Sequence, residues 1–342
     1  MDTLIFETAE QAVRNITAGI NTGNSLEANG RYTGEDIKQY ELQWGEPPLK
    51  EELFEAEKAA GFNAIRLPVT WKHHFNENGK IDAGWLEYVA SWVDKILSLG
   101  LYCILNIHHD GGEGSWIVSS KKGYEQSGEL FGLLWEQIAK RFENCGERLL
   151  FEAVNEPINE AREWEANDPD SVEGTMLFNQ KFVDTVRAGG GNNPQRNLIV
   201  MPYAGSGTKG RLDTFKMPDD TAKGHLILEV HNYDPEGFCW HKAPWTVVRD
   251  SWGSKEDYEQ IAAFAKRLDE FKTEWGVPAI VGEFGSQDKQ NEQARALHAK
   301  EFVSAMRSIG VKCFWWECGD FCIFDREKCE VRMPLIATAL TE

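Results

Sequence analysis

Residues Gly84–Asp110, GWLEYVASWVDKILSLGLYCILNIHHD, hold one full repeat of the pattern that decides the fold. Leu86, Val89, Ala90, Val93, Ile96 and Leu97 recur at spacings of three and four, which gathers them on one helix face. Gly100 then ends the helix, as a left-handed C-terminal cap does. Leu101–Asp110 follows as an apolar run of strand length and closes on His108, His109 and Asp110. The same handover recurs from end to end, with Gly61, Gly276 and Gly310 in the place of Gly100. It predicts strands within Thr17–Leu26, Phe62–Trp71, Leu101–Asp110, Leu149–Pro157, Asn197–Gly205, Leu226–Pro235, Ala279–Ser286 and Lys312–Gly319. It predicts helices over Lys50–Ala60, Gly84–Leu99, Leu130–Asn144, Thr175–Ala188, Glu256–Trp275 and Glu292–Ile309. Strands separated by helices pair in parallel, because parallel neighbours need a crossover connection. Eight such units close into a (β/α)8 barrel, and residues 1–342 form a single domain of that class. An open doubly wound sheet competes, but its GxGxxG after the first strand is absent. The weakest units are the fifth, where Arg211–Pro218 makes a poor helix, and the eighth, whose helix is the short Met333–Leu340.

Composition narrows the partners. Lys and Arg total 36 against 55 Asp and Glu, a formal net charge of −19. That balance argues against nucleic acid, whose binding needs clustered cations, and against an anionic membrane surface. No apolar run is long enough to span a bilayer. The chain is 42% apolar and 27% charged, an ordinary globular mixture, but it carries 13 Trp, 18 Phe and 8 Tyr. An acidic chain this rich in indole is suited to stacking on sugar rings. The seven cysteines leave at least one thiol unpaired, and no zinc spacing occurs. Cys318, Cys322 and Cys329 crowd one loop, where an oxidising compartment would permit a bridge. The N-terminus has no basic segment followed by an apolar one, so the chain is either cytoplasmic or has lost a signal peptide.

In such a barrel the chemistry lies at the C-terminal ends of the strands. Those ends hold Asn21, Asn24 and Glu27; Arg66; His108, His109 and Asp110; Asn155 and Glu156; His231 and Tyr233; Glu283; and Trp315, Trp316 and Glu317. Glu156 and Glu283 follow the fourth and seventh strands and face each other across the mouth. Two facing carboxylates are what glycosidic cleavage requires, one to protonate the leaving oxygen and one to act on the other side of the sugar. The bland alternative makes each a solvated loop charge. Arg66 lies inside an apolar strand, so its guanidinium must find a carboxylate, either Glu283 or a structural partner away from the site. His231 and Tyr233, two apart, point to one side. His108 and His109 invite a metal, but adjacent strand residues diverge and no HxH or HExxH spacing occurs, so no metal is expected. Of Trp315 and Trp316 one enters the cleft and the other packs on helices. Trp92 and Trp135 suit the core, while Trp44, Trp116, Trp240 and Trp245 lie in loops at the strand tops.

The motifs GINTGNSLE (19–27), GFNAIRLPVTW (61–71), NIHH (106–109), NEP (155–157), HNY (231–233) and GEFG (282–285) occur in this order, each at a strand end. Together they resemble glycoside hydrolase family 5, the cellulase family, over essentially the whole chain. The resemblance implies a retaining endo-β-1,4-glucanase that needs no cofactor and hydrolyses cellulose or related β-glucans. It implies Glu156 as acid/base and Glu283 as nucleophile, with Asn155 on the sugar 2-hydroxyl and Arg66 and Tyr233 supporting Glu283. His108 and His231 become the site histidines and Trp316 the platform beneath the reacting sugar. Asn24, Glu27 and His109 would bind the next sugar on the non-reducing side, and His241 and Trp245 would reach the leaving-group side. Retention requires direct attack, so the carboxyl groups should stand about 5–5.5 Å apart. Segments 29–48 and 318–329 depart from the family pattern. A β-mannanase with the same glutamates is the nearest alternative; a non-catalytic carbohydrate-binding barrel is another, although both carboxylates are retained. The expected partner is a β-glucan polysaccharide or oligosaccharide, with no nucleic acid, no membrane and a monomeric chain. Because a polymer cannot enter a cell, secretion is expected.

Overall fold

The computed structural model describes residues 6–111, 115–166 and 168–342. In chain order the elements are α1 (Ala9–Asn15), β1 (Gly19–Asn21), α2 (Glu51–Ala59), β2 (Ala64–Leu67), α3 (Ala83–Ser98), β3 (Tyr102–Asn106) and α4 (Lys121–Arg141). There follow β4 (Leu149–Glu152), α5 (Pro169–Ala188), β5 (Leu198–Val200), α6 (Lys209–Thr214), β6 (Leu226–Asn232) and α7 (Glu236–Cys239). The last are α8 (Lys255–Trp275), β7 (Ala279–Phe284), α9 (Glu292–Ser308), β8 (Lys312–Trp315), a small hairpin of β9 (Phe324–Asp325) and β10 (Glu330–Val331), and α10 (Pro334–Thr341). Strands β1 to β8 pair in parallel in sequence order, and β8 closes on β1 through Gly19↔Phe314 and Ile20↔Trp315. This is the (β/α)8 barrel, and each of its strands falls inside the interval expected for it.

Local chemistry sets the helix boundaries. Asp82, Ser120, Asp168 and Ser254 each accept a bond from a backbone N–H of the turn they cap. At the other ends, Gly61, Gly100, Gly276 and Gly310 take φ of 105°, 74°, 62° and 72°. The α4 helix begins at Lys121 rather than Leu130, and α5 at Pro169 rather than Thr175. The fifth unit keeps only the six-residue α6.

Alternation along the strands builds two layers. Ile65, Leu67, Cys103, Leu105, Phe151, Val230 and Val281 face outward into the shell shared with the helices. Ala64, Ile104, Leu150, Ile199, Ile227, Ile280 and Phe314 face inward at the barrel floor. Ala9, Ala12 and Val13 of α1, with Ile16, join this inner cluster and plug the bottom. One layer higher the inward positions turn polar: Asn21, Arg66, Asn106, Glu152 and Glu229 are all completely buried.

A bulge shapes the mouth. The β6–β7 ladder pairs Val230 with Val281 and then His231 with Glu283, leaving Gly282 as the extra residue. A Cβ at Gly282 would stand 1.6 Å from Glu229 Oε1, so only glycine leaves room for that carboxylate. The seven cysteines are all free thiols, including the three of the 318–329 loop. Among the described residues no helix is long and apolar enough to cross a membrane.

Candidate active site

The site is built on Arg66. Its Nε donates to Glu152 Oε2 (2.6 Å) and lies 3.2 Å from Glu229 Oε1. Nη1 donates to Glu283 Oε1 (2.7 Å) and Asn21 Oδ1 (3.0 Å), and Nη2 to Glu152 Oε1 (2.7 Å) and Asn155 Oδ1 (2.8 Å). All five guanidinium N–H groups therefore have acceptors, from strands β1, β4 and β7 and from Asn155 after β4, with the β6 carboxylate of Glu229 alongside. Burial opposes the charge, but Glu152, Glu229 and Glu283 together hold Arg66 well above its ordinary pKa. The same burial lifts Glu152 to about 7 despite the guanidinium beside it.

Above this floor lies the carboxylate pair. Glu283 Oε2 accepts from the Tyr233 hydroxyl at 2.9 Å, while its Oε1 is held by Arg66. Burial raises the Glu283 carboxyl, and the charges of His231 and Arg66 pull it back down without cancelling the rise. Glu156 Oε1 lies 2.8 Å from His231 Nδ1, and His231 Nε2 lies 3.2 Å from Glu229 Oε1. His231 Nδ1 also stands 3.6 Å from Glu283 Oε2. Burial disfavours the imidazolium, but Glu283, Glu156 and Glu229 outweigh it and raise His231 to about 10. Glu156 takes φ of 38°, a left-handed conformation that bulky side chains avoid, four residues beyond the end of β4. One oxygen of Glu156, one of Glu283 and a ring nitrogen of His231 lie within 4.8 Å of one another.

Among the described residues this trio is the one set of acidic, Cys and His side chains close enough to hold a cation. Both His231 nitrogens face carboxylates and both Glu283 oxygens accept hydrogen bonds, so a cation there would displace donors already in place.

The remaining expected residues divide. His108 accepts at Nδ1 from Asn106 Nδ2 (3.0 Å), and its Nε2 lies 3.9 Å from Glu283 Oε1; burial keeps it far below its ordinary pKa and neutral. Trp316 lies parallel to the His108 ring, with centroids 5.7 Å apart, and packs with Cys318 and Phe321 beside Tyr233 and Trp240. Trp315 is fully buried and donates from Nε1 to the Phe321 carbonyl. His109 packs edge-on to His108 and near Trp44, and burial lowers it to about 4. Asn24 is half-buried at the rim with φ of 57°.

Glu27 departs from the role expected of it. It is completely buried, and its carboxylate accepts from the backbone N–H groups of Asn24 and Ser25. The turn at 24–27 leaves these donors unpaired, and Glu27 folds inward to satisfy them rather than reach a sugar; burial raises it to about 7. His241 is likewise tied down, with Nδ1 3.1 Å from Asp320 Oδ2 and Nε2 on the Asp288 carbonyl. Trp245 is 67% exposed, its indole N–H on Glu236. Trp116 turns its N–H to Asp110 Oδ1 (2.7 Å) and packs against Phe75 and Phe131.

The sequence profile of the cellulase family, glycosyl hydrolase family 5, matches residues 26–321, which include every member of the Arg66 network except Asn21. The chain belongs to this family. It is 34% identical over 315 residues to an endoglucanase A of Clostridium longisporum, a match covering 90% of this chain and 59% of that protein. Among solved structures, a broad-specificity endoglucanase of Ruminococcus champanellensis with bound cellotriose superposes with a TM-score of 0.92 at 29% identity, over 99% of each chain. A family 5 enzyme of Prevotella bryantii, in complex with a xyloglucan tetradecasaccharide, gives 0.90 at 32% identity, again over 99% of each chain.

Sequence reasoning assigned no role to the buried acids Glu152 and Glu229, and quoted Asn106 only within its motif. The signal was present, since LLFEAVNEP (149–157) and LILEVHNY (226–233) each place an acid inside an apolar strand, as GFNAIRL places Arg66. It also passed over Trp164, 48% exposed in the segment after β4.

Proposed function

We propose that the chain is a retaining endo-β-1,4-glucanase that cleaves cellulose and related β-glucans by double displacement. The observation that carries this is the approach of Glu156 and Glu283, whose nearest oxygens lie within 4.8 Å. An approach this close between single oxygens favours the roughly 5–5.5 Å carboxyl separation of a retaining enzyme over the roughly 6.5–9.5 Å by which an inverting enzyme admits a water. Glu283, held by Arg66 and Tyr233, attacks the anomeric carbon and forms a glycosyl-enzyme. Glu156 protonates the departing oxygen, then takes a proton from the water that releases the sugar. Arg66 fixes Asn155 by its Oδ1, which turns the amide N–H groups away from the floor and toward a 2-hydroxyl. Trp316 offers its indole face to the reacting pyranose.

The β-glucan substrate is supported by the cellotriose and xyloglucan held by the two structural neighbours. In the same reading the enzyme works as a secreted monomer, because its polymeric substrate lies outside the cell. Initial rates on soluble cellulose, mixed-linkage glucan, xyloglucan and mannan test it. The glucans are expected to be hydrolysed faster than mannan. Faster turnover of mannan makes the chain a mannanase, and no turnover on any of them makes it a binding barrel.

A further inference from the structure

Glu229 belongs to no motif and has no place in the double displacement just described, yet it occupies costly ground. It is completely buried, Oε1 faces both His231 Nε2 and Arg66 Nε at 3.2 Å, and Oε2 has no partner. The β7 bulge leaves glycine at 282, where any side chain would displace this carboxylate. A carboxylate facing Nε2 fixes a proton there, because two acceptors cannot share one hydrogen bond. Nδ1 is then the only ring position whose proton can change, and it faces Glu156 Oε1 at 2.8 Å. The arrangement parallels a carboxylate that orients a catalytic imidazole from behind and selects its tautomer.

We propose that Glu229 is a positioning residue that pins the Nε2 proton of His231, so that His231 Nδ1 and Glu156 Oε1 share one proton that serves the acid/base. When the proton is on Glu156, His231 is neutral and the acid is ready to protonate the leaving oxygen. When it is on Nδ1, Glu156 is a carboxylate beside an imidazolium. The pair holds one proton in either form, so no other donor is needed. The groups facing His231 are Glu156 after β4, Glu229 on its own strand and Glu283 on β7, with Arg66 and His108 one layer further away. The charges of Glu283, Glu156 and Glu229 together favour retention of the proton.

The inference rests on the glycosidase reading, and its test separates the two. Glu229→Gln keeps size and an acceptor but removes the charge. On unactivated cello-oligosaccharides kcat/KM is expected to fall at least about tenfold, a part of the acid's own 10²–10⁴-fold contribution. On a dinitrophenyl cellobioside, whose leaving group needs no proton, kcat/KM is expected to change by less than about threefold. The basic limb of the pH profile should move to lower pH, because loss of a negative charge loosens the shared proton. Equal losses on both substrates with an unmoved basic limb would overturn the proposal and leave Glu229 a brace for Arg66. Nitrogen-15 NMR of His231 in the wild-type protein gives a readout independent of turnover. Nε2 should stay protonated at every pH while Nδ1 alone titrates, and a titrating Nε2 would also overturn the proposal. Failure of the wild type to hydrolyse any glucan, with that NMR pattern intact, would count against the glycosidase reading instead.

Discussion

Arg66 carries more of the site than any other side chain, because three buried carboxylates depend on one guanidinium. Removing it takes the cation from Glu152 and leaves Glu229 and Glu283 with His231 alone, and breaking a buried pair costs about 3–5 kcal/mol. Arg66→Ala is therefore expected to lose about that much stability in urea unfolding and nearly all turnover. Arg66→Lys keeps the charge but offers three donors from a single point where five are used, so it should fold better and still lose activity. Unchanged stability in Arg66→Ala would contradict the network. That Arg66 needed a carboxylate was legible, since a charge inside an apolar strand must be paired. Which carboxylate was not, because β4, β6 and β7 all bring one within reach of the same guanidinium. Glu27 shows the opposite limit. A strand-end acid looks available to substrate until the N–H groups of its own turn are counted, and sequence does not display unpaired donors.

At the scale of elements, strand positions were legible because buried parallel strands are short apolar runs closed by polar residues. Helix starts were less so. The α4 helix was missed over its first turns, where Gly123 and Gly128 dilute the helical pattern. Gly123 lies against the backbone of Val118 before the helix, Gly128 against the Tyr124 ring, and Gly132, further along, against Lys181 of α5. On the α5 side, a Cβ at Gly174 would stand 2.2 Å from the backbone nitrogen of Ser120, which cannot step aside as a side chain can. Gly174→Ala is expected to lower stability by about 1–3 kcal/mol through overpacking, seen as a lower melting temperature. A stabilised Gly174→Ala would mean that the two segments separate freely. The plug helix α1 escaped notice for its length alone, since Ala9, Ala12, Val13 and Ile16 keep helical spacing behind the Thr8–Gln11 capping box.

For the whole molecule, the barrel interior holds carboxyl groups whose pKa values burial raises. Glu27 and Glu152 are raised to about 7, and Asp110 to about 6. A raised value means that the folded chain binds protons the unfolded chain has released, so stability is full below the unfolded value and falls as pH rises through the folded one. His231, raised to about 10, extends the same slope upward from 6.5. Asp257 acts oppositely: Arg249 and the loop amides lower it against its burial, and its contribution is lost only as pH falls below 3.8. Buried neutral histidines oppose this slope below 6.5: His74, His109 and His298 are lowered to about 4, so the unfolded chain binds protons there that the folded chain does not. Above that range the raised groups act without them, and urea unfolding is expected to show stability declining from about pH 7 to pH 9. Stability that rises over the same interval would contradict the placement of His231 among its three carboxylates.

In the proposed double displacement Glu283 forms a covalent bond to the sugar while Glu156 manages the proton. Incubation with a 2-fluoro dinitrophenyl β-cellobioside slows both steps but leaves a good leaving group, so a glycosyl-enzyme accumulates if one exists. Mass spectrometry of the intact protein and its peptides should find one fluorocellobiosyl unit, attached to the peptide that contains Glu283. An enzyme that hydrolyses the unfluorinated glycoside yet takes no label, or carries it on another residue, would contradict the mechanism.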